Sequence, residues 1–182
     1  MRDATNSWYA MRDLDDEEIA ALIAERKQCP EDWREKLTPR PAKGVRHATG
    51  RFTAMGAAGH EFTVLTRLLP ADYLNFSAIL RFDDTDGAQY NLLRCNGIHG
   101  QHTNNIEKEQ GLEPAVFVDR FHVHRATERY QARGFDIETY AEPTDEYNDF
   151  WGAVAHLLRL GSFDIPPEAQ MTFEDLGTEV DK

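Results

Sequence analysis

The sequence predicts an α+β fold: a curved antiparallel β-meander of about five strands packed against an N-terminal helix and a long C-terminal amphipathic helix. Three observations favour this class. Apolar and polar residues alternate through the middle of the chain, apolar residues recur at helical spacing near both ends, and 41% of the 182 residues are hydrophobic. Such a composition is typical of a globular protein, and the length suits one hydrophobic core.

Residues 1–45 are expected to form an arm, a helix and a basic loop. Four consecutive acids at 15–18 predict the start of the helix, because the helix dipole favours negative charge in the first turn. Pro30 ends that helix. Further prolines and a glycine between residues 30 and 45 indicate a loop.

Residues 46–162 are expected to form the α+β core, which begins with the meander. Five segments alternate between apolar and polar residues: 47–56, 59–69, 74–83, 88–95 and 115–124. Short turns separate the first four segments, so consecutive strands should pair antiparallel. Gly87 follows Asp86 in a hairpin-turn pattern.

The C-terminal helix is predicted to begin after Pro143, with Thr144 as its N-cap, and to end at Gly161. Its apolar residues follow i, i+3, i+4, i+7 spacing around Trp151, so this stripe should cover one face of the sheet. Residues 163–182 are expected to form an acidic C-terminal tail.

The stretch 91–133 concentrates groups that transfer protons or hold anions. Its segment 96–114 predicts a loop, and a loop that long inside a compact domain is more often functional than not. The candidate catalytic residues are His102, His122, His124, Arg125, Arg129 and Tyr130. The candidate substrate-binding residues are Arg94, His99 and Asn105.

These residue types allow more than one chemistry. Histidines transfer protons near neutral pH and arginines hold phosphate, which is the equipment of a metal-independent ribonuclease. Alternatively, His122 and His124 share one face of a strand, and a folded-back loop could bring a third imidazole to bind Zn²⁺. The sequence has no HExxH motif, phosphate-cradling loop or dinucleotide fingerprint, so we assign no metal and no cofactor. Cys95 is more typical of a buried apolar residue than of a nucleophile.

Charge limits the possible partners. The formal net charge is −12, which argues against nucleic-acid binding by the whole surface. Basic residues nevertheless concentrate between residues 34 and 67, so nucleic acid could bind through a local basic patch. With two cysteines, no apolar run of membrane-spanning length and no signal-peptide pattern, we expect a cytoplasmic protein with no membrane partner.

Three segments carry a resemblance: HTNNIE at 102–107, FHVHRATERYQARG at 121–134 and YAEPTDEY at 140–147. Together they resemble a family of small uncharacterised bacterial proteins of unknown function, over about residues 60–160. The resemblance implies a bacterial or phage cytosolic origin. It implies no activity, cofactor or site residue.

Two functional hypotheses follow from the sequence. The first is a non-enzymatic interaction protein, such as an inhibitor, an antitoxin or a nucleic-acid mimic. Its acidic face, formed by a helix at 145–159 and the tail, would bind a basic protein partner. The alternative is a phosphodiester- or nucleotide-acting enzyme, such as a small ribonuclease, that uses the histidine and arginine cluster.

Overall fold

The computed structural model describes residues 12–166. Most of the predicted N-terminal arm and most of the predicted acidic tail lie outside this range. The described residues form five helices: α1 (Asp16–Ala24), α2 (Trp33–Leu37), α3 (Asn105–Gln110), α4 (Glu128–Gln131) and α5 (Phe150–Leu160). They also form ten strands: β1 (Lys27–Gln28), β2 (Ala48–Met55), β3 (Glu61–Leu69), β4 (Asp72–Asp83), β5 (Gln89–Asn96), β6 (Gln101–Thr103), β7 (Val116–Val118), β8 (His122–Arg125), β9 (Ala141–Pro143) and β10 (Phe163–Asp164).

The central sheet has six antiparallel strands in the order β2-β3-β4-β5-β8-β9, which confirms the α+β class. The first four predicted strands form the meander β2 to β5. The fifth predicted segment, 115–124, is divided between β7 and β8, because the chain turns at Asp119, whose φ is +50°. The strand β9 adds a sixth member that the sequence did not predict.

One face of the sheet forms the hydrophobic core with α5, which packs against β4 and β5. Val154, Leu157 and Leu158 of α5 are fully buried, as are Val64 and Leu80 of the sheet. Each large apolar side chain buried in this way contributes about 1.5–3 kcal/mol to stability. The predicted packing of a C-terminal helix on one sheet face is therefore present.

That helix is shorter than the sequence predicted, since α5 has 11 residues and begins at Phe150. Its N-cap is Asp149, whose side chain accepts a hydrogen bond from the backbone N–H of Gly152 at 2.6 Å. Pairing of β9 with β8 keeps the chain extended up to Pro143. Thr144, the predicted N-cap, instead accepts a hydrogen bond from the N–H of Glu146 at 3.2 Å.

The helix α1 begins as predicted, because the Asp15 side chain accepts a hydrogen bond from the N–H of Glu18 at 2.7 Å. It ends at Ala24, before Pro30 is reached. Lys27 follows in β1, which pairs parallel with β10. The Lys27 ammonium is buried and donates to four backbone carbonyls at the ends of α1 and α5, so it joins the two helices.

The second face of the sheet is partly covered by the excursion 97–121, which the sequence predicted as a loop up to residue 114. This excursion is structured: β6 and β7 form a two-stranded antiparallel ribbon, with α3 between them.

Among residues 12–166, no helix is long and apolar enough to cross a membrane.

Candidate metal centre

The candidate centre consists of His102, His122 and His124, and the last two come from β8. The register pairs His124 with Arg94 and His122 with Asn96 of β5. Because side chains two apart on a strand point to the same side, both imidazoles project from the second face of the sheet. His122 is 2% exposed and His124 is 6% exposed.

The third imidazole, His102, is brought to this face by the ribbon of β6 and β7. In that ribbon His102 pairs with Phe117, whose ring packs against His102 at 5.0 Å and against His122 at 5.3 Å. One ring nitrogen from each of His102, His122 and His124 lies within 4.8 Å of the other two. The sequence allowed three imidazoles to meet, and His102, His122 and His124 are together in the structure.

Hydrogen bonds fix the tautomers of the two β8 histidines. The Nδ1 of His122 is 2.8 Å from the carbonyl oxygen of Arg120, and the Nδ1 of His124 is 2.9 Å from that of Glu138. A carbonyl oxygen only accepts, so each Nδ1 carries the proton and donates. In the neutral rings the lone pair is then on Nε2.

The orientation of His102 is fixed by the buried side chain of Asn104. The amide Nδ2 donates to the carbonyls of Pro114 and Ala141, at 2.6 and 2.7 Å. The Oδ1 accepts from the N–H of Ala141 at 2.9 Å and from Nε2 of His102 at 3.0 Å. Since His102 donates through Nε2, its lone pair is on Nδ1.

The ring nitrogens that carry lone pairs in His122 and His124 have few hydrogen-bond partners. Within residues 12–166, the buried Nε2 of His124 has no hydrogen bond. The Nε2 of His122 accepts from Nδ2 of Asn96 at 3.2 Å. A buried polar atom without a partner costs about 1–3 kcal/mol in stability. A cation bound at the Nε2 of His124 would remove that cost.

Burial keeps the imidazoles neutral. It lowers the pKa of His122 to about 4 and the pKa of His124 to about 2, and the nearby positive charge of Arg94 acts in the same direction. Burial also lowers the pKa of His102, against opposing hydrogen bonds from Asn104 and the Thr139 backbone. All three rings therefore present, at neutral pH, the uncharged form that binds metal ions.

Two of the three candidate substrate-binding residues lie at the centre. His99 is exposed, and its ring centroid is 5.0 Å from that of His122. Arg94 lies beside the imidazoles, where its guanidinium forms an ion pair with the buried carboxylate of Glu138. Asn105 begins α3, one residue beyond Asn104.

The structure does not bring the other candidate catalytic residues to the imidazoles. Arg129 forms an ion pair with Glu107, and the buried Tyr130 donates its hydroxyl to the same carboxylate at 2.6 Å. These contacts hold α4 against α3. Arg125 alternates with His124 on β8 and lines a cavity of about 350 Å³ together with His156 on the other side of the sheet.

Cys95 is buried as well, and burial raises the pKa of its thiol to about 12. The protonated thiol is a poor nucleophile at neutral pH. This agrees with its interpretation as a small apolar residue.

Sequence reasoning did not identify the residues that hold the centre in place. For Asn104, the sequence signal is its position two residues after His102. Glu138 gave no signal, because 44 residues separate it from Arg94 along the chain. Phe117 lies in the segment 115–124, which was predicted only as a strand.

The chain was compared with known proteins in three ways, and no family model, curated protein or solved structure matches it.

Proposed function

We propose that the protein is a metalloprotein in which His102, His122 and His124 bind one Zn²⁺ or a similar borderline cation. The convergence of three neutral imidazole nitrogens within 4.8 Å carries this proposal. Imidazole is a preferred ligand of Zn²⁺, and three histidines are the ligand set of several catalytic zinc sites.

Binding a metal would draw the ring nitrogens, now within 4.8 Å of one another, closer together. A zinc–nitrogen bond is about 2.0–2.1 Å, so tetrahedral ligand atoms lie about 3.4 Å apart. His102 is the least buried of the three, so its ring has the most room to adjust. Binding would also replace the 3.2 Å hydrogen bond from Asn96 to His122.

The outer partners support a metal site. Histidine ligands almost always donate their second ring N–H to a carbonyl or carboxylate, which fixes the ring orientation and increases ligand basicity. Here the carbonyls of Arg120 and Glu138 and the amide oxygen of Asn104 occupy those positions. With Nδ1 donating in both rings, the Nε2 atoms of His122 and His124 carry lone pairs that a cation can use.

Three protein ligands leave a fourth position for water, and zinc lowers the pKa of a bound water to about 7. We therefore propose hydrolysis by a metal-activated water as the chemistry of the centre. His99, the exposed imidazole beside His122, is placed to exchange protons with solvent. This form of the enzymatic hypothesis uses the predicted histidines as ligands and does not use Arg125, Arg129 or Tyr130.

Calorimetric titration of chelator-treated protein with Zn²⁺ tests the proposal. We expect one ion per chain. Replacing His122→Gln or His124→Gln should weaken binding by more than about 100-fold, the upper limit of what losing an outer partner of a ligand costs. His102→Gln should have the same effect.

The matched control is His47→Gln, because His47 precedes β2 and lies outside the cluster. This variant should bind zinc as the wild-type chain does. Zinc affinity that is unchanged in all three ligand variants, or absent from the wild-type chain, would refute the metal centre.

The acidic docking hypothesis stays a prediction with less support. The helix α5 contains no acidic residue, and the acids before it are partly neutralised. Asp145 forms an ion pair with Arg120 at 2.9 Å, and Glu146 forms one with Arg159 at 3.2 Å. The acidic residues from 168 onward lie outside the described range.

A further inference from the structure

The register of the central sheet connects the metal centre with a basic surface on the same face. Two rows of paired residues cross the sheet to β8, one from β3 and one from β2. The first row is Arg67, Ser77, Asn96 and His122. The second row is Arg51, Leu65, Ile79, Arg94 and His124. Each row therefore connects an arginine with a histidine of the centre, and the first row continues beyond Arg67 to Thr49 of β2.

The two outer arginines are free to bind an anion. Arg51 and Arg67 are both exposed, and as diagonal neighbours on adjacent strands their Cα atoms lie about 7–8 Å apart. Within the range 12–166, neither forms an ion pair or a side-chain hydrogen bond. Guanidinium groups without a carboxylate partner bind phosphate with paired N–H donors.

The smaller of two cavities around these arginines has an uncompensated positive charge. Arg51 and Arg67 line a cavity of about 560 Å³, and Arg51 also lines one of about 800 Å³. The other cations of the smaller cavity are paired: Lys36 with Asp32 at 2.9 Å, and Arg40 with Glu35 at 3.0 Å. Arg51 and Arg67 therefore supply the net charge of that cavity.

The separation of the two regions indicates the size of the ligand. From Arg67 on β3 to His122 on β8 there are three strand spacings, or about 14 Å at about 4.8 Å each. One phosphate cannot contact the arginines and the metal centre together. A chain of phosphodiesters can, because it repeats the charge along its length.

We propose that this face binds single-stranded nucleic acid, with Arg51 and Arg67 holding its backbone while a phosphodiester reaches the metal centre. This inference rests on the proposed function. A single strand fits better than a duplex, because Ile79 and Asn96 are buried and the inner part of the face is covered. A flexible strand can follow the open outer strands and enter beside the half-exposed His102.

The net charge of −12 opposes any polyanion at long range, so the attraction is local and sensitive to salt. This predicts weak binding near physiological salt and measurable binding at low salt. It also predicts that two arginines account for much of the salt dependence.

Fluorescence anisotropy with a labelled single-stranded RNA of about 16 nucleotides, at several salt concentrations, tests the inference. We expect Arg51→Glu combined with Arg67→Glu to weaken binding by about tenfold or more. The slope of log affinity against log salt should fall by about 1.4, which corresponds to two lost phosphate contacts on a single strand. Arg51→Gln with Arg67→Gln should give the same change in slope, and serves if the charge reversal impairs folding.

The control is Arg26→Glu combined with Lys108→Glu, which changes the net charge equally at exposed positions outside both rows. It should keep most of the wild-type affinity. Equal weakening by both double variants would overturn the inference, as would polyglutamate displacing the RNA as effectively as unlabelled RNA does. A wild-type chain that binds one zinc ion but no RNA would also overturn it, while leaving the proposed function intact.

Discussion

Asn104 uses all of its hydrogen-bonding groups within the protein, and it does so at the point where three segments meet. Its amide contacts His102 on β6, the carbonyl of Pro114 before β7, and both backbone groups of Ala141 on β9. A side chain with four fixed bonds has one orientation. It therefore sets the direction in which His102 presents its lone pair, and we regard it as a positioning residue for the centre.

Asn104→Ala should lower the free energy of unfolding by about 2–4 kcal/mol, because it leaves buried backbone groups of Ala141 unpaired. It should also lower the affinity for zinc by about 10–100-fold, since His102 loses the partner that orients it. Chemical denaturation and calorimetric titration measure the two effects. The matched control is Asn105→Ala at the adjacent, half-buried position, which should preserve zinc affinity. Equal zinc affinity in the two variants would show that Asn104 has only a structural role.

At the scale of elements, α5 is the main support of the sheet. Its residue Leu157 is fully buried, whereas Trp151 is only partly buried at the edge of the interface. The Trp151 indole packs edge-on against Trp33 at 6.2 Å, and the guanidinium of Arg34 lies 4.6 Å above it. The sequence placed Trp151 in the middle of the buried stripe, but the later start of the helix moves the centre of the stripe to Leu157.

Leu157→Ala should therefore destabilise the protein by about 2–5 kcal/mol, as expected for a cavity in a close-packed core. Trp151→Ala should cost less than Leu157→Ala, because solvent replaces part of the indole without leaving a sealed void. Urea denaturation, with the slope m unchanged between variants, gives both values. The reverse order would show that the core is centred on the indole.

The predictability of the fold differed between elements for physical reasons. The strands β2 to β5 follow from alternation, because one face of each is buried against the core. The strand β9 has three residues and includes Pro143, so local sequence gives it no pattern. The start of α5 was misplaced because Thr144 and Asp149 are both good N-caps, and pairing of β9 decides between them.

The candidate site was predictable in its residues but not in its arrangement. Spacing alone places His122 and His124 on one face. The approach of His102 depends on the ribbon of β6 and β7 folding back over β8, which depends on contacts between distant residues such as Asn104 and Ala141. Separation of Arg125 from the imidazoles follows from strand alternation, and the sequence already contained that information.

At the scale of the whole molecule, the centre lies where two separate sheets meet. The ribbon of β6 and β7 belongs to a separate two-stranded sheet, while His122 and His124 belong to the central sheet. A bound ion would tie the two sheets together at one point. The same sheet face extends to Arg51 and Arg67, so one surface combines a site for chemistry with a site for anion binding.

Anomalous diffraction at the zinc absorption edge, from crystals grown with Zn²⁺, tests the central claim most directly. The account predicts one strong peak about 2.0–2.1 Å from His102 Nδ1, His122 Nε2 and His124 Nε2. Density for the imidazoles with no anomalous peak among them, at a zinc concentration that saturates other proteins with three histidine ligands, would contradict it.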